Sequence, residues 1–117
     1  MNEYVKIYVF VPKSHFDQLR LALGEAGIGK MGNYDCCAFA TEGKGYFRPL
    51  KGANPAIGSV GRIEEVSEIK LEFVCKKSEI DRVLRVVKDN HPYEEVALDV
   101  IPLLNLPSIG NVKNKES

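Results

Sequence analysis

Five consecutive positions, His91-Pro92-Tyr93-Glu94-Glu95, concentrate side chains that can do chemistry. Neutral imidazole is a common ligand for first-row metals and a carboxylate adds oxygen donors, so His91 with Glu94 or Glu95 is the start of a metal site. The same histidine can act as a general base with a glutamate as acid, given a substrate within hydrogen-bond reach. Neither chemistry is complete within the pentad. If residues 94 and 95 open a strand, their side chains alternate across it, and one at most shares a face with a given partner. A zinc site then needs ligands from elsewhere in the fold or from another subunit. The simpler account is a helix-to-strand turn, in which Pro92 enforces the exit and the imidazole bonds a helix-end carbonyl.

Other candidates are scattered. Glu68 and Glu72 share a strand face and can bind a cation, or form a charged outer face with Lys70 and Arg62. Cys36 and Cys37 point to opposite sides of a strand, so one alone can join a shared site, and a free cysteine also behaves as a small buried hydrophobe. His15 stands at a helix start, where its charged form is disfavoured. The stretch EGKGYFRPLKGANPAIGSVG is glycine-rich but contains no phosphate-loop or dinucleotide fingerprint. Its backbone amides, with Lys44, Arg48 or Lys51, can still cradle an anion. No nucleophile-histidine-acid arrangement with workable spacing is present.

The rest of the chain bounds what these residues can serve. With 117 residues, 44% hydrophobic and 27% charged, the composition fits one soluble domain with a modest core, expected over residues 1–106, and a frayed tail over 107–117. Sixteen basic and sixteen acidic side chains balance, with no basic stripe, which argues against nucleic-acid binding. No apolar run reaches membrane-spanning length, and the N-terminus lacks a signal-peptide pattern, so a cytoplasmic address is expected. Three cysteines, two of them adjacent, read as free thiols rather than a disulfide framework.

Alternation from Tyr4 to Val11 predicts a strand with apolar residues on both faces, ended by Pro12. Ser14 as cap and Asp17 in the first turn predict a helix through Phe16, Leu19, Leu23 and Ala26, stopped by Gly27 and Gly29. YDCCAFATEGKGYFRPL reads as two strands around a tight turn at Glu42-Gly43-Lys44-Gly45. Alternation returns from Arg62 to Lys76, with Ile69, Leu71, Phe73 and Cys75 facing the core. Ser78 is expected to cap a second helix carrying Ile80, Val83, Leu84 and Val87, and a last strand covers roughly Glu95 to Leu103. The openings KSHFDQL and KSEIDRV echo each other, each after a strand and before a helix. Two such halves give an α+β, ferredoxin-like β-α-β-β-α-β fold with helices on one face of an antiparallel sheet. The other face carries Tyr8 and Phe10, and an apolar open face argues for self-association.

In order, GNYDCCAFATEGKGYFRPLKGANPAIG, GRIEEVSEIKLEFV and HPYEEVALDV resemble the CutA-like inserted domain of the YqfO-type, Nif-three-like proteins, from about residue 4 to 104. The resemblance implies a PII/CutA-like fold, a homotrimer packed around a central axis, and a stand-alone version of the insert. It places HPYEE near a subunit boundary. The two-metal site of larger members lies in flanking halves whose histidines have no counterpart here, so it implies no hydrolase. Members usually carry histidine where this sequence has Cys36; if that histidine is a ligand partner for His91, a thiolate in its place favours softer metals, and if it is structural nothing follows. Three functions follow. The first is a non-catalytic module taking a small ligand between subunits, with His91, Tyr93, Glu94, Glu95, Lys44, Arg48 and the glycine-rich loop in its cleft. The second is a divalent-metal binder of the CutA type using His91 with Glu95, Glu68 or Cys36. The last is a metal-assisted hydrolase.

Overall fold

The computed structural model describes residues 3–104, so the tail expected over 107–117 lies outside the described residues. The elements run β1 (Tyr4–Pro12), α1 (Phe16–Glu25), β2 (Phe39–Phe47), β3 (Glu64–Lys76), α2 (Ile80–Asn90) and β4 (Leu98–Pro102). The four strands form one antiparallel sheet in the order β2-β3-β1-β4, and both helices pack on one face. This is the ferredoxin-like β-α-β-β-α-β arrangement of the sequence pattern.

Period-2 alternation decides what the sheet buries. Val5, Ile7, Val9 and Val11 of β1 and Ile69, Leu71, Phe73 and Cys75 of β3 point to the helices. They meet Leu19 and Leu23 of α1, Val83 and Val87 of α2, and Ile28. Fully burying one such aliphatic side chain stabilises the fold by about 1.5–3 kcal/mol. Leu84, expected on the buried stripe of α2, is 41% exposed, and Val86 packs against the core instead.

Helix ends depart from the expected caps. Single turns of 3-10 helix, Lys13–His15 and Lys77–Glu79, precede α1 and α2. Ser14 therefore does not cap α1; its hydroxyl meets His15 Nδ1 at 2.9 Å. Ahead of α2, the Lys76 amide donates to Glu79 Oε1 at 2.9 Å, and Ser78 does not cap the helix. The α1 stop follows expectation: Gly27 adopts φ 82°, and the amides of Gly27 and Ile28 donate to the carbonyls of Gly24 and Leu23. That doubled pattern satisfies two orphan carbonyls and seats Ile28 in the core.

Two strand assignments change. The tight turn expected at 42–45 is absent: Phe39–Phe47 is one strand paired to β3 along its whole length, and the reversal occurs in the 48–63 loop. Positive φ falls on Gly52, Gly58 and Gly61 of that loop rather than on Gly43 or Gly45. Cys36 and Cys37 precede β2 and lie in a loop, where Cys36 takes φ 57°. β4 begins at Leu98, so Glu94 and Glu95 belong to the turn before it. The open face carries Tyr8, Phe10 and Phe39 together with Lys6, Glu68, Lys70 and Glu72. Lys6 meets Glu72 at 3.5 Å, and the Lys70 ammonium lies 4.1 Å from the centre of the Tyr8 ring.

Candidate functional site

The site is built around the exit from α2. Proline disfavours helical backbone in the residue before it, and His91 is accordingly extended, at φ −117° and ψ 135°. The imidazole is thereby turned inward and is 8% exposed. Its Nε2 lies 2.8 Å from the Phe10 carbonyl, and the Tyr93 amide donates to Nδ1 at 3.1 Å. An amide must donate, so Nδ1 is the unprotonated acceptor and Nε2–H donates to Phe10, an assignment made from the hydrogen-bond network. Burial pushes the imidazole pKa down, against the opposing pull of the Phe10 hydrogen bond and the Glu68 charge. Both ring nitrogens are committed to holding the turn. In this arrangement no lone pair is left for a metal or for proton abstraction.

Tyr93 continues outward from that anchor. Its ring meets His91 at 5.0 Å and Phe47 edge-on at 5.6 Å between centroids, and its hydroxyl donates to Glu68 Oε2 at 3.0 Å. Burial, followed by the bond to Glu68, raises the phenol pKa well above its ordinary value, so the hydroxyl stays a donor. Across β2, Gly45 leaves room for the Glu68 carboxylate: a Cβ at that position would collide with it. Glu94 Oε1 accepts the Asn54 amide at 2.9 Å, which ties the 48–63 loop to the turn.

Between loop, turn and sheet lies a pocket of about 320 Å³. Phe10, Phe47, Pro49, Pro55 and Ile57 supply apolar wall, and Glu68, Glu94 and Glu95 supply its charged groups. Four of the residues singled out from the sequence, Tyr93, Glu94, Glu95 and Glu68, line this pocket, with His91 behind them. The others are elsewhere. Lys44 points to the opposite face of β2 and meets Glu65 at 3.6 Å, and Arg48 is exposed beside the pocket without lining it. Cys36 packs on Gly24 in a separate small pocket. Among the described residues, no group of three or more histidines, cysteines, aspartates or glutamates is placed to hold a metal ion. Among them, too, no helix is long and apolar enough to cross a membrane. Sequence reasoning missed Phe10 as part of the site and reached Gly45 and Phe47 only as members of the glycine-rich stretch. What sets Gly45 beside the carboxylate is the β2–β3 register, which puts Gly45 opposite Val66, one pleat from Glu68.

By fold, this chain is a CutA-like domain: CutA1 from Oryza sativa superposes with a TM-score of 0.67 at 18% identity, covering 96% of this chain and 86% of that one. A likeness at that identity concerns the fold alone. By sequence, the chain is homologous to one segment of the YqfO/Nif-three-like proteins. The GTP cyclohydrolase 1 type 2 homolog of Bacillus subtilis is 46% identical over 116 residues, which cover 94% of this chain and 31% of that protein. A Bacillus cereus protein related to NIF3 superposes with a TM-score of 0.77 at 42% identity, over 89% of this chain and 26% of that one. The chain thus spans about a third of the length of the curated relatives it matches. No protein-family model matches it.

Proposed function

We propose that this chain is a non-catalytic binding or regulatory module that self-associates as a homotrimer through its open sheet face and takes a small ligand in the pocket beside the HPYEE turn. The pocket itself carries the reading: about 320 Å³ of concave, mostly apolar space in which a few polar groups converge. Its architecture supports binding over catalysis, because His91, the histidine of the site, is occupied on both nitrogens. Phe39 is 66% exposed on the open face, and covering it gives self-association an apolar driving force.

A divalent metal held by Glu68 or Glu95, with the remaining donors supplied by a second copy, is the alternative, since carboxylates facing one pocket suit hard cations. The test is thermal unfolding of the full chain, with sedimentation velocity for its assembly state, across amines, nucleotides, carboxylates and divalent metals. A ligand at a hundred times its Kd should add about 2.7 kcal/mol. Ala56→Trp, which fills the pocket from its lining, should abolish that gain. A flat response across the whole panel would sink the binding reading, and a monomer at all concentrations would sink the trimer.

A further inference from the structure

We infer that the pocket selects an organic cation, an ammonium or amidinium group on a small apolar body, with the charge received by Glu68 and the body held among Phe10, Phe47 and Ile57. This rests on the binding reading above and sharpens it to a ligand class. Three observations carry it. Among the described residues, the charged side chains that line the pocket are Glu68, Glu94 and Glu95, and neither a lysine nor an arginine lines it. An anion entering there would meet three like charges. Lys44 and Arg48, the basic groups nearest in sequence, lie outside the lining.

The second observation is how Glu68 is held. Its Oε2 accepts the Tyr93 hydroxyl at 3.0 Å, while among the described residues it forms no ion pair with a lysine or arginine. A carboxylate has acceptor positions on both oxygens, so the Tyr93 bond leaves Oε1 to receive a donor. The missing side chain at Gly45 is what allows that carboxylate to sit over β2 at the pocket wall. Tyr93 is thus a positioning residue, and Glu68 the recognising one.

The third is the aromatic wall. Tyr93 and Phe47 pack edge to face at 5.6 Å, and ring faces attract cations through their quadrupole. The same sheet face already does this once within the chain, where the Lys70 ammonium stands 4.1 Å from the Tyr8 ring centre. An organic cation fits better than a bare metal ion. Apolar wall predominates, one oxygen of Glu68 is taken by a hydroxyl, and among the described residues no set of three metal-donor residues converges. The volume corresponds to roughly ten waters of liquid, enough for a single ring or a short chain.

The experiment is isothermal titration of the full chain with three matched probes, benzamidine, benzamide and benzoate, and with Mn²⁺ alone. The same set is run on Glu68→Gln and Ala56→Trp. Glu68→Gln keeps an acceptor for Tyr93, so its fold is preserved, which thermal unfolding checks. Benzamidine should bind about ten-fold to a hundred-fold more tightly than benzamide, the range expected of one charge-assisted hydrogen bond, and benzoate should not bind. In Glu68→Gln that preference should vanish, and in Ala56→Trp all binding should vanish. Equal or tighter binding of benzamide or benzoate would overturn the cation inference while leaving a binding pocket. Binding of Mn²⁺ without benzamidine would overturn it in favour of the metal reading. No binding of any probe by the wild-type chain would overturn both.

Discussion

Replacing His91 by phenylalanine isolates what the imidazole does for the turn, because a ring of similar size remains while both hydrogen bonds disappear. The Phe10 carbonyl and the Tyr93 amide lose their partners. An orphaned buried polar group costs about 1–3 kcal/mol, and Tyr93 is only half-buried, so the sum is about 2–4 kcal/mol. For a chain of this size about 3 kcal/mol lowers the thermal midpoint by roughly 10–20 °C. The same substitution removes a pH dependence. Burial holds the folded imidazole below its unfolded pKa of about 6.5, so on acidification the unfolded chain takes up the proton first. The stability that neutral His91 confers is therefore complete above that unfolded value. It declines as the pH falls towards the depressed folded one, with a limiting slope of about 1.4 kcal/mol per pH unit. The assay is urea unfolding followed by circular dichroism at fixed protein concentration, at about pH 7.5 and about pH 5.5. His15 is present in both proteins, so the difference in slope belongs to His91. A His91→Phe protein within about 0.5 kcal/mol of wild type at the higher pH, or one with an unchanged slope, would refute the two-bond account.

Gly45→Ala should push the Glu68 carboxylate off β2 and break its bond to Tyr93. The lost charge-assisted bond, about 1.5–3 kcal/mol, outweighs the 0.5–1 kcal/mol or so that alanine returns in backbone entropy. Urea unfolding should show a net loss of about 1–2 kcal/mol, and a spectroscopic titration should show the Tyr93 phenol returning towards its ordinary pKa. Leu71→Ala, at a side chain 1% exposed between sheet and helices, should cost about 2–5 kcal/mol by the same measurement, against under about 1 kcal/mol for Leu84→Ala. Burial, aided by the Glu79 charge, pushes the Cys75 thiol up to about 11. Mass-resolved alkylation at mildly alkaline pH should therefore modify exposed Cys36 at once and Cys75 only as the chain unfolds.

The fold was legible because two periodicities state it openly. Alternation in β1 and β3 and the i, i+3, i+4 spacing in α2 each follow from what a pleat or a helix turn must bury, and the repeated helix-start signal supplied the topology. The β2 region was misread for an equally physical reason. Glycine pairs permit a tight turn, but they also permit an extended strand into which a neighbour's side chain intrudes, and local sequence does not distinguish the two. Gly45 took the second role, under Glu68, and Gly43 only extends the strand, once β3 proved long enough to pair with all of Phe39–Phe47. Leu84 shows the matching limit in α2: a residue at the edge of an apolar stripe is buried only if a neighbouring element covers it, and here Val83 and Val87 are buried while Leu84 is left exposed.

The site was half legible, and the division follows sequence distance. HPYEE announces itself because proline after histidine forces a backbone change at a fixed point, and that change aims His91 inward and Tyr93 across the sheet. Which groups they meet depends on β-register and loop closure over long separations. Phe10 is 81 residues from His91, Glu68 is 25 from Tyr93, and Asn54 is 40 from Glu94. Chemistry that looks local is therefore divided between two tasks. The histidine, the residue that drew attention as a ligand, secures the turn, and the tyrosine it secures fixes a carboxylate that local sequence does not connect with it. A wall made by Glu68 over Gly45 requires β2, β3 and the α2 exit to be in register together, so recognition at this pocket is tied to folding of the whole sheet rather than to any one motif.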